Sequence, residues 1–364
     1  MTQEFDSYRP PKREKRFRNF FGQGGKRKKR GRGGEDLMVD EAQFESYYGR
    51  PIVKAPPWKH EIGAYLVLGG IAGGSALLAA GAHVTGLHEL RRNARLTALG
   101  AISAGAVALI ADLGRPERFL NMMRTVKVTS PMSLGSWILG GFSTGAGVAG
   151  AAEVVRMLEG HIPGEDTALV KAGKKALFTM ETPAGFLASA LGAPLAVYTA
   201  ALLSNTAVPT WNAARRGLPF VFASSASLAA GGAAMVTTSP AQAGPARLLA
   251  LMGVAGDLIA LTWTKKDMHP LEAEPLEIGH AGKLMHLSEA CVIAGGVGTA
   301  LVGRNRVGAI VSGACLVAGS ALTRFGVMDA GHASTQDPKY VVEPQKARLR
   351  ARQEAGITHD SIVT

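Results

Sequence analysis

Cysteine is almost absent from this sequence. The 364 residues contain two, Cys291 and Cys315, and both lie inside apolar segments. Two cysteines exclude a framework of several disulfides, and there is no Cys-x-x-Cys pair to hold zinc or an iron–sulfur cluster. Any metal centre that works with this chain is therefore expected on another subunit. We predict neither a metal site nor a catalytic residue in the chain itself.

Charged residues are also almost absent from eight long stretches of the chain. Each is close to the length of about 20 residues with which a helix crosses a hydrocarbon core of roughly 30 Å. The stretches are rich in Gly, Ala and Ser, which let helices approach closely in lipid, and residues 69–74 hold two overlapping Gly-xxx-Gly spacings. We predict an all-α protein, a polytopic membrane helical bundle with about eight transmembrane helices, at 62–82, 95–112, 133–155, 184–204, 218–238, 245–264, 287–303 and 306–323.

Positive charge is concentrated at the start of the chain. Residues 1–34 hold twelve Lys and Arg against three acidic residues, so this arm carries +9 of the net charge of +12. We predict a basic, largely disordered extension at 1–57, a transmembrane domain at 58–325 and a polar tail at 326–364. Attraction to anionic membrane lipid explains the arm. Binding to nucleic acid is the alternative, and we predict no specific nucleic-acid partner.

The number of spans places both termini on one side of the membrane. Lys and Arg are in excess on that side, mainly because of the arm. Such an excess is typical of the cytoplasmic side. We therefore predict a multi-pass protein of the inner, cytoplasmic membrane with both termini in the cytoplasm.

Unusual polar residues collect on the same side, at the start of odd spans and the end of even spans. Ionisable groups within a membrane are costly and often mark a pathway or a binding site. They also serve as interfacial anchors or snorkelling side chains, which is our interpretation of Trp58, Trp211, Trp263 and Arg324. The functional candidates are His60, Glu61, Tyr65, Asp112, Arg115, Ser133, Tyr198, Asn205, Asp257 and Glu289.

Several stretches, taken in order, resemble one family. They are YLVLGGIAGG at 65–74, DLGRPERF at 112–119, SPMSLGSW at 130–137, and YTAALLS at 198–204 followed by PTW at 209–211. Across residues 58–330 the chain resembles the NrfD-like polysulfide reductase membrane subunits, which anchor molybdoenzyme complexes. The arm at 1–34 is an addition that this family does not require.

The resemblance implies a quinone-binding membrane anchor of a multisubunit oxidoreductase, without haem or an iron–sulfur cluster of its own. Menaquinone or another quinone would exchange electrons with a 4Fe-4S ferredoxin-like iron–sulfur subunit, which serves a molybdopterin catalytic subunit. Whether such a chain counts as an enzyme stays open. The sequence is consistent with this, because its histidines offer no convincing mid-helix pair for haem: His83, His88, His269, His280 and His286 lie in or beside loops.

Quinone chemistry suggests a role for each candidate. A quinone exchanges two electrons and two protons, so its carbonyls need hydrogen-bond donors and an ionisable partner. We predict a quinone site formed by His60, Glu61, Tyr65, Asp112, Ser133, Tyr198 and Asn205, and a proton pathway through Glu61, Asp112, Arg115, Asp257 and Glu289. Some relatives place an Asn near the histidine that opens span 1, whereas the neighbours of His60 are Lys59 and Glu61.

Two alternatives remain. Arg115 can instead neutralise Asp112 and cap the end of its helix. The whole chain can instead be a secondary transporter or a proton or ion pathway built from the same carboxylates. Against a transporter, the sequence shows no paired inverted halves with matching broken helices.

Overall fold

In the computed structural model, which describes residues 51–113, 116–161 and 167–356, the chain folds as a bundle of long helices. The eight longest are long and apolar enough to cross a membrane. The described residues form helices and no strands, which confirms the predicted fold class. The helices are α1 (His60–Val84), α2 (His88–Asp112), α3 (Pro131–Met157), α4 (Ala168–Ser204), α5 (Leu218–Thr237), α6 (Gly244–Asp267), α7 (Gly279–Val302), α8 (Arg306–Gln336) and a shorter α9 (Lys339–Glu354).

Four of the long helices extend well past the apolar segments that predicted them. α2 begins at His88 rather than 95, α4 at Ala168 rather than 184, and α7 at Gly279 rather than 287, while α8 ends at Gln336 rather than 323. Hydropathy marks the part of a helix that suits lipid, whereas the helical hydrogen bonds continue until the chain ends them. With 37 residues, α4 is about 55 Å long and exceeds the roughly 30 Å of a hydrocarbon core.

The predicted division into an extension, a transmembrane domain and a tail stays a prediction. α8 passes through residue 325, where we placed the end of the transmembrane domain. Most of the predicted extension at 1–57 lies outside the described residues, which begin at 51.

The eight spanning helices form two groups of four. In the first group α1 packs against α2 and α4, and α3 packs against α2 and α4. The second group repeats this arrangement: α5 packs against α6 and α8, and α7 packs against α6 and α8. The groups meet where α1 contacts α5 and α8 and where α4 contacts α5. Since each group has an even number of antiparallel helices, α1 and α5 begin at the same end of the bundle, which we call the N-terminal face.

The first and fourth helices of each group meet through a pair of glycines. A Cβ on Gly73 of α1 would lie 2.3 Å from the carbonyl oxygen of Gly192 in α4. A Cβ on Gly232 of α5 would lie 2.6 Å from the carbonyl oxygen of Gly313 in α8. Both distances are shorter than any ordinary contact, so only glycine allows the backbones to approach this closely. The small residues of the spans therefore serve helix packing in both groups.

Short elements and the end of α8 close the N-terminal face. One of them, the helical turn Pro209–Ala213, carries Trp211, which is completely buried. Its Nε1–H donates to the carbonyl oxygen of Val327 at 2.7 Å, and its ring stacks on Trp58 with centroids 5.7 Å apart. Our interpretation of Trp211 as an interfacial anchor is therefore wrong, because the residue fills the core beneath this face.

Candidate functional site

Two of the predicted tyrosines meet inside the first group of helices. Tyr65 of α1 is 3% exposed, and Tyr198 of α4 is partly buried. Their hydroxyl groups are hydrogen-bonded to each other. In such a pair one phenol donates and the other accepts, so the accepting tyrosine retains its own O–H for a further acceptor.

Two glycines leave the space that the tyrosine rings occupy. A Cβ on Gly135 of α3 would lie 2.2 Å from Cε2 of Tyr198, far inside the ordinary carbon contact of about 3.5–4.0 Å. A Cβ on Gly105 of α2 would lie 3.4 Å from Cδ2 of Tyr65. All four helices of the first group thus contribute to the surroundings of the pair. We did not predict this role for either glycine, although Gly135 lies within one of the family-like stretches.

Two predicted carboxylates lie between the tyrosine pair and the N-terminal face. Glu61 precedes Tyr65 by four residues, which places both on one side of α1 one turn apart. Asp112 ends α2 and follows Gly105 by seven residues, so it lies on the same side of that helix, about 10 Å along its axis. Both carboxylates are partly buried. They are thus positioned to connect the depth of the tyrosines with the face.

Two further candidates take part in local hydrogen bonds at helix ends. Asn205, which is exposed, caps α4 and donates from Nδ2 to the carbonyl oxygen of Ala201 at 2.9 Å. The Ser133 hydroxyl donates to the carbonyl oxygen of Thr125 at 2.9 Å and accepts from the N–H of Lys127 at 3.0 Å. The hydroxyl proton of Ser133 therefore already has an acceptor.

Two predicted residues of the first group of helices remain, His60 and Arg115. His60 is the exposed first residue of α1, with its ring centroid 6.4 Å from that of Phe325 in α8. Arg115 lies outside the described residues, so its two interpretations stay open.

A second polar centre lies between the helices of the second group. Asp257 of α6 is 1% exposed, and Arg324 of α8 is completely buried. Arg324 donates from Nη2 to the carbonyl oxygen of Phe222 at 2.7 Å, and its guanidinium carbon lies 3.6 Å from the centre of the Phe222 ring. The interpretation of Arg324 as a snorkelling side chain is therefore wrong.

Several atoms of this centre have no hydrogen-bond partner within the described chain. They are Oδ1 of Asp257 and Nε and Nη1 of Arg324, and all three are shielded from solvent. Burying a polar atom without a partner is costly. These atoms therefore indicate a polar site between the helices rather than an ordinary packing contact. Gly70 of α1 borders it, since a Cβ there would lie 3.4 Å from Nη2 of Arg324.

Glu289, which we grouped with Asp257, lies on α7 of the second group. It is exposed on α7 and lines a cavity of about 260 Å³ between α6 and α7. Lys265, Lys266 and Glu277 also line this cavity, and Lys265 pairs with Glu277 at 3.4 Å. A connection from Glu289 to Asp257 stays a prediction.

The described ranges contain no group of three or more His, Cys, Asp or Glu side chains arranged to hold a metal ion. The polar groups at the tyrosine pair are two hydroxyls hydrogen-bonded to each other. Together, the eight spans and the polar groups buried between them define a polytopic membrane protein whose polar centres are enclosed by helices.

Comparison with known families is more specific. The family described as polysulphide reductase, NrfD, matches residues 53–263, more than half of the chain. The chain therefore belongs to the NrfD family, which confirms the resemblance. It is a multi-pass membrane protein of the kind that forms the membrane subunit of molybdoenzyme complexes, and its family associates in general with iron–sulfur and molybdoenzyme subunits. A comparison with curated proteins found no match.

Proposed function

We propose that this chain is the quinone-binding membrane anchor of a multisubunit oxidoreductase, with menaquinone or another quinone bound at the Tyr65–Tyr198 pair. The observation that carries the proposal is the pair itself. A buried and a partly buried phenol are hydrogen-bonded to each other, and one of their two O–H groups remains free to donate to a carbonyl oxygen. When bound, the quinone supplies chemistry that moves two electrons and two protons.

The surrounding side chains supply what such a ligand needs. The tyrosine pair donates the hydrogen bond and fixes the position of the ligand. Glu61 and Asp112 carry protons between the ligand and the N-terminal face, because they lie one and two helical turns closer to that face than the tyrosine pair. His60, Ser133 and Asn205 form the outer rim of the proposed site, although Ser133 and Asn205 already hydrogen-bond to the backbone around their own helix ends.

We propose that the 4Fe-4S ferredoxin-like iron–sulfur subunit docks on the N-terminal face and passes electrons to or from the molybdopterin catalytic subunit. The position of the tyrosine pair favours docking on this face, since Tyr65 is five residues into α1 and therefore about 8 Å below the start of that helix. Electrons would therefore travel only a short distance between the cluster of the partner and the quinone. With the excess of Lys and Arg on that side, the same proposal places the termini in the cytoplasm and the chain in the inner membrane.

The Asp257–Arg324 centre supports a second element of the proposal, a proton pathway through the second group. Its buried atoms without partners suit proton exchange better than packing. The same centre is the observation that favours a proton or ion pathway protein as the alternative function. The two groups of helices run in the same direction, however, rather than as the inverted halves of many secondary transporters.

The test is to compare Tyr198→Phe with Tyr340→Phe in the purified complex. Tyr198→Phe removes one neutral hydrogen bond, worth about 0.5–1.5 kcal/mol, so quinol turnover should fall roughly two- to twelvefold while the complex still assembles. Tyr340 lies in α9 with its hydroxyl 3.4 Å from Glu274, so its replacement should leave turnover unchanged. Equal turnover in the two variants would refute a quinone at the tyrosine pair. Co-purification of the iron–sulfur and molybdenum subunits tests the partners separately.

A further inference from the structure

A network of five charged residues lies at the end of the bundle opposite the N-terminal face. Arg95 of α2 contacts Glu153 of α3 at 2.9 Å and Glu181 of α4 at 3.6 Å. Arg156 of α3 contacts Glu181 at 2.5 Å and Glu153 at 3.2 Å, and Arg91 contacts Glu153 at 3.1 Å. Three arginines therefore share two carboxylates, which leaves the network with one excess positive charge.

The middle of the network is buried, whereas the side chains of Arg91 and Arg156 at its edge are 16% and 33% exposed. Arg95 is 5% exposed and Glu153 is 2% exposed. Both ion pairs of Arg95 use Nη1. The other terminal nitrogen, Nη2, lies beside Gly185 of α4, where a Cβ would come within 3.3 Å of it. Because three arginines share two carboxylates, the positive potential around Arg95 favours a further anionic partner.

A small cavity adjoins Arg95 among the four helices of the first group. Its volume is about 20 Å³, slightly more than the 10–15 Å³ that one water molecule requires. Three polar side chains line it, those of Arg95, His83 and Thr182, and the rest of the lining is mainly alanine. Nδ1 of His83 is shielded from solvent and has no hydrogen-bond partner in the described chain. The His83 ring is held edge-on to Phe186 at 5.9 Å.

We propose that this cavity binds a small monovalent anion of about the size of chloride. Arg95 supplies the charge, and its Nη2 donates to the anion. His83 donates from Nδ1 in the tautomer that carries the proton there, and Thr182 donates from its hydroxyl. The small volume favours a monatomic anion over phosphate or sulfate. The site lies at the other end of the bundle from the tyrosine pair and does not depend on a quinone binding there.

The experiment measures thermal unfolding of the purified full-length protein while chloride replaces gluconate at constant ionic strength. Binding to the folded state alone should raise the unfolding temperature with chloride in a saturable way. His83→Phe keeps a ring against Phe186 but removes Nδ1, and the apparent Kd should rise by roughly ten- to a hundredfold, the effect of losing a hydrogen bond to a charged group. Gly185→Ala should weaken binding too, because its methyl group crowds Nη2 of Arg95.

The matched control is His88→Phe, since His88 is an exposed histidine at the same end of the bundle that does not line the cavity. It should retain the chloride response of the unaltered protein. The proposal is overturned if chloride gives no more stabilisation than gluconate, or if His83→Phe responds as His88→Phe does. Crystals soaked in bromide give a direct readout: an anomalous peak beside Arg95 supports the site, and its absence shows that the cavity holds water.

Discussion

Replacing Gly135 by alanine tests the tyrosine pair without removing any polar group. The added methyl carbon would lie 2.2 Å from Cε2, 2.5 Å from Cδ2 and 3.0 Å from Cζ of Tyr198. Reaching an ordinary contact of about 3.5–4.0 Å requires the ring or α3 to move by more than about 1 Å. A shift of that size takes the Tyr198 hydroxyl out of hydrogen-bonding distance of Tyr65, since such bonds are limited to about 2.5–3.0 Å.

Two effects of different size follow for Gly135→Ala. Overpacking a close-packed interior costs about 1–3 kcal/mol, and the better helix propensity of alanine offsets about 1 kcal/mol of this. A modest loss of thermal stability is therefore expected. Loss of the hydrogen bond to Tyr65 removes about 0.5–1.5 kcal/mol of ligand positioning, so quinol turnover should fall by roughly two- to twelvefold.

Gly147→Ala in the same helix is the matched control. A Cβ on Gly147 meets nothing within 4 Å, so this variant should keep turnover and lose no stability. Both variants are compared by quinol-dependent turnover and thermal unfolding of the purified complex. If Gly135→Ala behaves as Gly147→Ala does, the Tyr198 ring does not pack where the structure places it, and the reasoning about the pair is wrong.

Two further substitutions test the packing and the C-terminal helix. Gly73→Ala should lower the unfolding temperature because the added Cβ would lie 2.3 Å from a backbone carbonyl oxygen of α4, whereas Gly81→Ala, with nothing within 4 Å, should not. Arg348→Gln removes a partner at 3.1 Å from Glu272, which is 5% exposed, and should speed proteolysis within α9, the expected result of leaving a buried carboxylate unpaired. The exposed Arg350→Gln is its control, and equal cleavage of both variants would show that the ion pair does not hold α9.

The number of spanning helices could be predicted because lipid imposes the same requirement on every span. A helix in a hydrocarbon core must be apolar over about 20 residues, and such segments stand out in any sequence. Helix ends do not follow this rule. The start of α2 carries Arg91 and Arg95, which lower its hydropathy although they are inside the helix and paired with Glu153. Those pairs depend on packing between distant segments, which hydropathy does not report.

The sequence predicted at which depth in the membrane the candidate residues lie, but it did not predict which of them touch. Alternating spans place Tyr65 and Tyr198 on the same side of the membrane, so topology alone favoured both. Their hydrogen bond depends on how closely α1 and α4 approach each other, and Gly73 allows that close approach. Arg324 was misinterpreted for a related reason. An arginine near the end of an apolar segment suggests a membrane boundary, but α8 continues to Gln336 and the side chain is buried against Phe222 of α5.

α1 connects the two polar centres, and this explains its unusual composition. In the most apolar stretch of α1, 78% of the residues are buried, whereas in that of α6 only 28% are. α1 is therefore the spanning helix most surrounded by protein. Tyr65 faces the first group, while Gly70, about 8 Å further along the axis, borders Arg324 of the second. A larger side chain at Gly70 would enter the space next to the guanidinium. The glycines of this helix therefore have two functions at once, since they allow close packing with α4 and leave room for a buried arginine.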